Sequence, residues 1–147
     1  MSWSTITSTN VKTRLAGAEL TALQTAALAT GQADPLIEVI ADVVDEVRGY
    51  ISANPKNTLG AAATVPSKLL SATLAIIRYR LATRLPAKAF LTQDRIDENN
   101  AAIRLLEQVA ANKFAIEDPN SGDRSGVSIQ QASTPTRIAT REKLSGL

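Results

Sequence analysis

The chain lacks both histidine and cysteine, although it has 147 residues. Without histidine it has no imidazole, the side chain that most often serves as a general base, and without cysteine it has no thiolate nucleophile. The usual ligands of structural zinc and iron–sulfur clusters are therefore missing, and no disulfide can form. These absences argue against an enzyme and predict that the protein uses no cofactor, with a carboxylate metal site as the one chemistry left open.

Aromatic residues are scarce, at 3% of the chain, whereas apolar residues together make up 44%. A hydrophobic core must therefore consist of Leu, Ile, Val and Ala, which form many modest contacts instead of a few large ring contacts. The length is typical of one domain. We therefore expect a single core that is built from aliphatic side chains.

Neither charge is in clear excess, because 16 basic residues accompany 14 acidic ones and give a formal net charge of +2. A domain that binds duplex DNA usually gathers its basic residues on one face, and no such gathering is visible. No apolar run approaches the roughly 20 residues that cross a bilayer, and the first residues do not resemble a signal peptide. Motifs of phosphate-binding loops, dinucleotide sites and serine hydrolases are absent too. We expect no membrane segment and no catalytic site.

Two stretches have the three- and four-residue spacing of apolar side chains that predicts long helices. The first covers residues 36–53 and follows Asp34 and Pro35, a pair well suited to begin a helix. The second covers residues 66–86 and is apolar on nearly all sides. Such a helix is covered by others on several sides, so we expect it at the centre, with residues 74–77 in the core.

A third long helix is predicted over residues 92–113, and a weaker helical pattern covers residues 10–30. Thr9 or Asn10 is the expected cap of the weaker region, and Gly17 is expected to interrupt it. The sequence therefore predicts an all-α fold. This fold is a small helical bundle of three long helices plus shorter N-terminal helices.

Two segments outside the predicted helices have the composition of irregular structure. Residues 1–10 are rich in Ser and Thr and form either an extended arm, anchored by Trp3 and Ile6, or a frayed end. Residues 52–65 contain turn formers such as Gly60, so we expect a loop. A loop of this length is often functional, and we expect it to project from the bundle.

The charged residues of the first two long helices separate by sign. Acids on the first helix form a solvated or partner-facing surface more readily than a metal site. Cations at the end of the second helix complement the negative end of its dipole. The two groups are also placed to meet, within one subunit or between neighbours. We call them the acidic set, Glu38, Asp42, Asp45 and Glu46, and the basic set, Arg78, Arg80 and Arg84.

The last part of the chain changes in character, which divides it into a bundle over residues 1–117 and a tail over residues 118–147. The tail is dominated by Gly, Pro, Ser and Thr, and has too few apolar residues for a core, which predicts disorder when it is alone. Val127 and Ile129 alternate with polar residues, a pattern that suits addition to a partner's sheet edge. The alternative is a dispensable tail.

The order and spacing of these stretches resemble the Mu gp36-like group of phage head–tail connectors and the similar gp6/gp15-like connectors. The resemblance covers roughly residues 10–117 and is best at residues 40–51, 78–81 and 102–107. One departure is clear. Members of the group place an aromatic and basic segment where this chain has the Gly- and Ala-rich stretch 52–65.

The resemblance implies a structural adaptor of a tailed bacteriophage, with no enzymatic activity and no membrane contact. Such proteins form a ring, commonly of twelve subunits, beneath the portal protein. They lie in the head–tail neck of the virion after assembly in the host bacterial cytoplasm. The ring extends the DNA channel, which DNA crosses without sequence-specific binding, and it docks stopper or tail proteins.

Within that picture we expect two kinds of contact. The acidic and basic sets are expected to meet at the ring interface, and the tail is expected to bind the portal. The expected portal-binding residues of the tail are Val127, Ile129, Arg137, Ile138, Arg141 and Lys143.

Two other classes of protein fit the sequence less well. One is another ring protein of the neck or tail, such as a tail terminator, which usually contains more β-structure. The other is a small helical regulator that binds nucleic acid, which would need a basic recognition face.

Overall fold

The computed structural model describes residues 3–26, 35–85 and 90–120. It contains helices, one short 3-10 turn and a two-stranded sheet. In chain order these elements are β1 (Trp3–Thr5), α1 (Ser8–Lys12), α2 (Gly17–Ala26), α3 (Pro35–Ser52), β2 (Thr64–Pro66), the 3-10 turn Ser67–Leu69, α4 (Leu70–Arg84) and α5 (Gln93–Ala110).

Helices α3, α4 and α5 pack against one another and form the bundle, with α1 against α3 and α4. The predicted all-α fold and its three long helices are therefore confirmed. Leu74, Ile76 and Ile77 of α4 are all buried, as the sequence predicted for the centre of the second long helix. The core is aliphatic, because its largest fully buried side chains are Val, Leu and Ile.

The limits of two helices differ from the prediction. Helix α4 begins at Leu70 rather than at residue 66, because residues 64–66 form β2 and residues 67–69 form the 3-10 turn. Helix α5 ends at Ala110 rather than near residue 113. Asn112, which has a left-handed φ of 58°, closes this end of α5. The amide of Lys113 donates to the carbonyl of Gln108 at 2.8 Å, as in a Schellman motif.

The first helix also begins earlier than predicted. Its cap is Thr7, not Thr9 or Asn10. The amide of Asn10 donates to Thr7 Oγ1 at 3.4 Å, and Asn10 Oδ1 accepts from the amide of Thr7 at 2.9 Å. Asn10 thus takes the position that Glu or Gln usually holds in a capping box, which hid the motif in the sequence. The expected interruption of the 10–30 region is present, but it lies at residues 13–16, and Gly17 is the first residue of α2.

The N-terminal arm is an ordered part of the fold from Trp3 onward. Strand β1 pairs antiparallel with β2, so that Trp3 lies opposite Pro66 and Thr5 opposite Thr64. Ile6 is buried and Trp3 packs against the edge of the core, which confirms both as anchors. The indole Nε1 of Trp3 donates to the carbonyl of Glu117 at 3.0 Å, and this bond ties the arm to the end of the bundle.

The loop after α3 does not project freely, and this prediction is wrong for its second half. Arg48 of α3 donates to the carbonyls of Gly60, Ala61 and Thr64 at 3.2, 2.9 and 2.8 Å. The guanidinium carbon of Arg48 also lies 5.9 Å from the ring centre of Trp3. A single arginine therefore holds the loop and the arm against α3, because its planar fork can bind several acceptors at once.

The first half of the same loop is fastened by one buried amide. Asn54 is 4% exposed, and its Nδ2 donates to the carbonyl of Val109 at 3.3 Å and to Asn112 Oδ1 at 3.1 Å. Its Oδ1 accepts from the amide of Lys56 at 3.0 Å. Buried polar groups need such partners. The loop residues Pro55, Lys56, Thr58 and Leu59 remain exposed.

Gly60 is the point where arm and loop come closest, and its replacement gives a direct test. A Cβ atom at Gly60 would lie 2.6 Å from Cδ2 of Trp3, so the indole would have to move. We expect Gly60→Ala to lower the free energy of unfolding by about 1–3 kcal/mol, in line with other overpacking substitutions. Thermal and urea denaturation followed by circular dichroism measure this loss.

Gly49 provides the matched control for this substitution. It lies inside α3, and an added Cβ would meet nothing within 4 Å. Gly49→Ala should raise the free energy of unfolding by about 0.5–1 kcal/mol, because alanine favours a helix over glycine. Equal effects of the two substitutions would show that Trp3 does not rest on Gly60.

Part of the sequence prediction lies outside the described residues. This applies to Asp34 as a helix cap and to the tail beyond Asn120, including all six of its expected portal-binding residues.

Candidate interaction surfaces

Helix α3 has one face in the core and an acidic face on the surface. Val39, Val43 and Val47 form the buried stripe. Ala41 lies about 160° around the helix from Val39, since successive residues are separated by about 100°. The surface side contains Ile37, which is 66% exposed and is the most exposed large apolar residue of the described chain. We name this surface the α3 ridge, formed by Ile37, Glu38, Ala41, Asp42 and Asp45.

Two members of the predicted acidic set pair with the basic set inside the same chain. Glu46 forms an ion pair with Arg80, and Glu38 Oε2 lies 3.6 Å from Arg84 Nη1. The partners in both pairs retain about a third or more of their side-chain exposure. Pairs of this kind contribute little stability, typically below about 1 kcal/mol. Their role at a ring interface stays a prediction.

The other two acids of the set have no such partner. Among residues 3–26, 35–85 and 90–120, no cation lies within 4.0 Å of Asp42 or Asp45. Both side chains are exposed on the α3 ridge. They are therefore free to meet cations of another molecule.

Arg78 differs from the rest of the basic set. It lies about 160° around α4 from Arg80 and so faces away from α3. Its Nη1 lies 3.5 Å from Oε2 of Glu98 on α5, a long contact. Its Nε is buried and has no hydrogen-bond acceptor among the described residues. The guanidinium is thus only partly satisfied by its own chain.

Arg78 lines an open groove of about 360 Å³ between α4 and α5. Four alanines line the groove, which are Ala72, Ala75, Ala101 and Ala102. Its charged residues are Arg14, Lys68, Arg78 and Glu98, so that three cations face one anion. We call it the α4–α5 groove. It lies on the side of α4 that faces away from α3, because Arg80 on the opposite side contacts Glu46.

The fold and these surfaces can now be compared with known proteins. The model of the family described as Bacteriophage Mu, Gp36 matches residues 6–132, which is most of the chain. The chain belongs to this phage family. The match confirms the resemblance seen in the sequence, and it extends into the tail beyond Ile129. No curated protein and no solved structure matches the chain.

This member of the Mu Gp36 family also contains a buried ion pair that the sequence did not reveal. Glu19 of α2 is 4% exposed and pairs with Arg95 of α5. Glu19 Oε2 accepts from the amide of Ala16 at 2.9 Å, and Arg95 donates to the carbonyl of Phe90 at 2.7 Å. Glu19 is the third residue of α2, the position that Glu or Gln holds in a capping box, and this was the available signal in the sequence. The pair joins α2 to α5.

Within the described ranges, no three acidic side chains come close enough to hold a metal ion. In the same ranges, no helix is long and apolar enough to cross a membrane. The features that remain as candidate sites are the α3 ridge and the α4–α5 groove.

Proposed function

We propose that this phage protein is a head–tail connector, which forms a ring beneath the portal and has no enzymatic activity. The observation that carries the proposal is the family match over residues 6–132, and the small helical bundle of the structure is compatible with it. Two surfaces of opposite charge on different faces of the bundle support a ring. Contacts between unlike faces generate a closed ring when the rotation between neighbours closes.

The N-terminal arm, the loop after α3 and the start of the tail lie together at one end of the bundle. This arrangement suits an adaptor that contacts other rings. Trp3 of the arm donates to the carbonyl of Glu117, so the chain leaves the bundle beside the arm. Arg48 holds the loop residues 60–64 to the same end. We propose that this end meets the portal through residues 118–147 and that the exposed loop residues 55–59 reach an adjacent ring. Repetition of each weak contact around the ring supplies avidity.

DNA in this picture crosses the ring without sequence-specific recognition. The described basic residues are distributed over several elements instead of one long stripe, and α4 and α5 are packed in the bundle. The ring would lie in the virion neck, where it also docks stopper or tail proteins. A tail terminator is a weaker candidate, since the described strands, β1 and β2, have only three residues each.

Electron microscopy of assembled particles tests this proposal. Heads that lack this protein should fail to join tails, and addition of the purified full chain should restore infectious particles. Cryo-electron microscopy of the restored necks should show a ring of helical bundles, commonly twelve, directly beneath the portal. Restored particles without the protein in the neck, or with it only at the tail tip, would contradict the connector role. Strong salt-dependent binding to duplex DNA would instead favour a regulator.

A further inference from the structure

We propose that the α3 ridge of one copy docks into the α4–α5 groove of a second copy and so forms the repeating contact of the ring. This inference rests on the proposed ring and names the surfaces that build it. It revises the expected ring interface, because Arg80 and Arg84 already contact acids of their own α3. The receiving cations are instead Arg14, Lys68 and Arg78.

Charge complementarity selects this pair of surfaces. The α3 ridge presents Asp42 and Asp45, which have no cation within 4.0 Å among the described residues, and Glu38, which already pairs with Arg84 of its own chain. The groove presents three cations and the single anion Glu98. Complementary potentials of this kind direct the encounter of two molecules and fix their register. Arg78 is suited to bind a second carboxylate, because its side chain is partly exposed and its contact with Glu98 is long.

The shapes of the two surfaces also agree. A helix approaches another closely where the contact residues are small, and four of the residues that line the groove are alanines. Ala41 lies at the middle of the ridge, and its small side chain lets α3 approach the groove closely at that point. Ile37 is 66% exposed and would be covered by the alanines and Leu105 that line the groove.

The positions of the surfaces predict a ring instead of a symmetric pair. The groove faces away from α3, so one copy cannot use the same patch for both sides of the contact. Such an interface is heterologous and propagates from copy to copy. The chain's own tail is a poor occupant of the groove, since residues 121–147 contain Arg124, Arg137, Arg141 and Lys143 against only Asp123 and Glu142.

Engineered cysteines give a clean test, because the chain has no cysteine of its own. Ala41→Cys labels the ridge and Ala101→Cys labels the groove, and both positions are exposed. Each full-length variant alone should give no covalent dimer with a short bis-maleimide cross-linker. An equimolar mixture should give a dimer at least about tenfold above either variant alone. A chain with both cysteines should give a ladder of cross-linked species.

Asn100→Cys is the matched control for the groove variant. Asn100 is exposed and adjacent to Ala101, but it lies about 100° around α5, outside the groove. Its mixture with Ala41→Cys should stay at the background level. Circular dichroism should show that all three variants keep the helical spectrum of the parent chain.

Charge reversal tests the same contact independently. Asp42→Lys in the ridge and Lys68→Glu in the groove should each lower the cross-linking yield at least about fivefold. A mixture in which one copy has Asp42→Lys and the other has Lys68→Glu should recover much of the yield, because the pair is restored with its signs exchanged. A mixture that stays as low as the single reversals would overturn the contact.

The outcomes separate this interface from the connector role. A ring in the virion neck with only background cross-linking between residues 41 and 101 would overturn the interface and leave the connector role intact. Cross-links from either variant alone would show a symmetric dimer, which also overturns the interface. Cross-links from the groove to the portal protein, in place of those to a second copy, would show that the portal occupies the groove. This result would also overturn the interface. If virion necks contain no ring of this protein, the proposed connector function itself is contradicted.

Discussion

Ile77→Asp should abolish folding of the chain. Ile77 is 0% exposed at the centre of α4, where it packs in the core that α3, α4 and α5 share. A buried carboxylate at this point has no cation to pair with, and its desolvation should cost several kcal/mol. That loss is comparable with the total stability of a small domain, which is about 5–15 kcal/mol. Circular dichroism should therefore show little helix and no cooperative thermal transition.

Ile37→Asp is the matched control for this experiment. It introduces the same chemical change on the neighbouring long helix, but Ile37 is 66% exposed. The variant should keep its helical spectrum and a free energy of unfolding within about 0.5 kcal/mol of the parent chain, as is usual for surface substitutions. A soluble and fully helical Ile77→Asp chain would show that α4 buries a different face.

The long helices could be predicted because their information is local. Apolar side chains in α3 and α5 recur at helical spacing, and each helix buries the face that this spacing indicates. The apolar character of α4 on nearly all sides likewise predicts that Leu74 and Ile77 lie in the core, and both are buried. The error at the start of α4 has a non-local cause, since residues 64–66 pair with an arm that lies about sixty residues earlier in the chain.

The attachment of the loop could not be predicted for the same reason. Arg48 has the sequence context of a solvated helix cation, and its three carbonyl partners lie beyond the end of its helix. In the sequence Gly60 looks like an ordinary turn residue. In the structure it must be small because the ring of Trp3 lies against it. Both roles depend on contacts between segments that are distant in sequence, and the periodicity of apolar residues does not predict such contacts.

The charged surfaces were predicted in part. The sequence separated acids on α3 from cations on α4, and the structure brings Glu46 to Arg80 and Glu38 to Arg84. The prediction that grouped Arg78 with these arginines was wrong about its face. Arg78 is two residues from Arg80, and on a helix this spacing places the two side chains on nearly opposite faces. The groove itself required α5 and Arg14, which no local pattern joins to α4.

Truncation after Asp118 should leave a folded bundle that no longer attaches to portal-bearing heads. The core cluster and the apolar residues packed against it end at Ile116, and the bond from Trp3 to the carbonyl of Glu117 is retained. The melting temperature should therefore stay within a few degrees of the parent chain. Completed heads, counted after addition of the truncated protein, should fall at least about tenfold, because every subunit of the ring loses its tether at once.

A full-length variant isolates the chemistry of that tether. Val127, Ile129 and Ile138 are spaced aliphatic residues in a tail otherwise rich in polar ones. A partner's apolar surface must compensate for ordering the segment, which costs roughly 1–2 kcal/mol per residue for the backbone. Changing all three residues to Ser should reproduce most of the loss, whereas changing Ser128, Gln130 and Thr140 to Ala should not. If the truncated protein completes heads at the normal rate, the tail is not the tether, and the portal must bind the bundle itself.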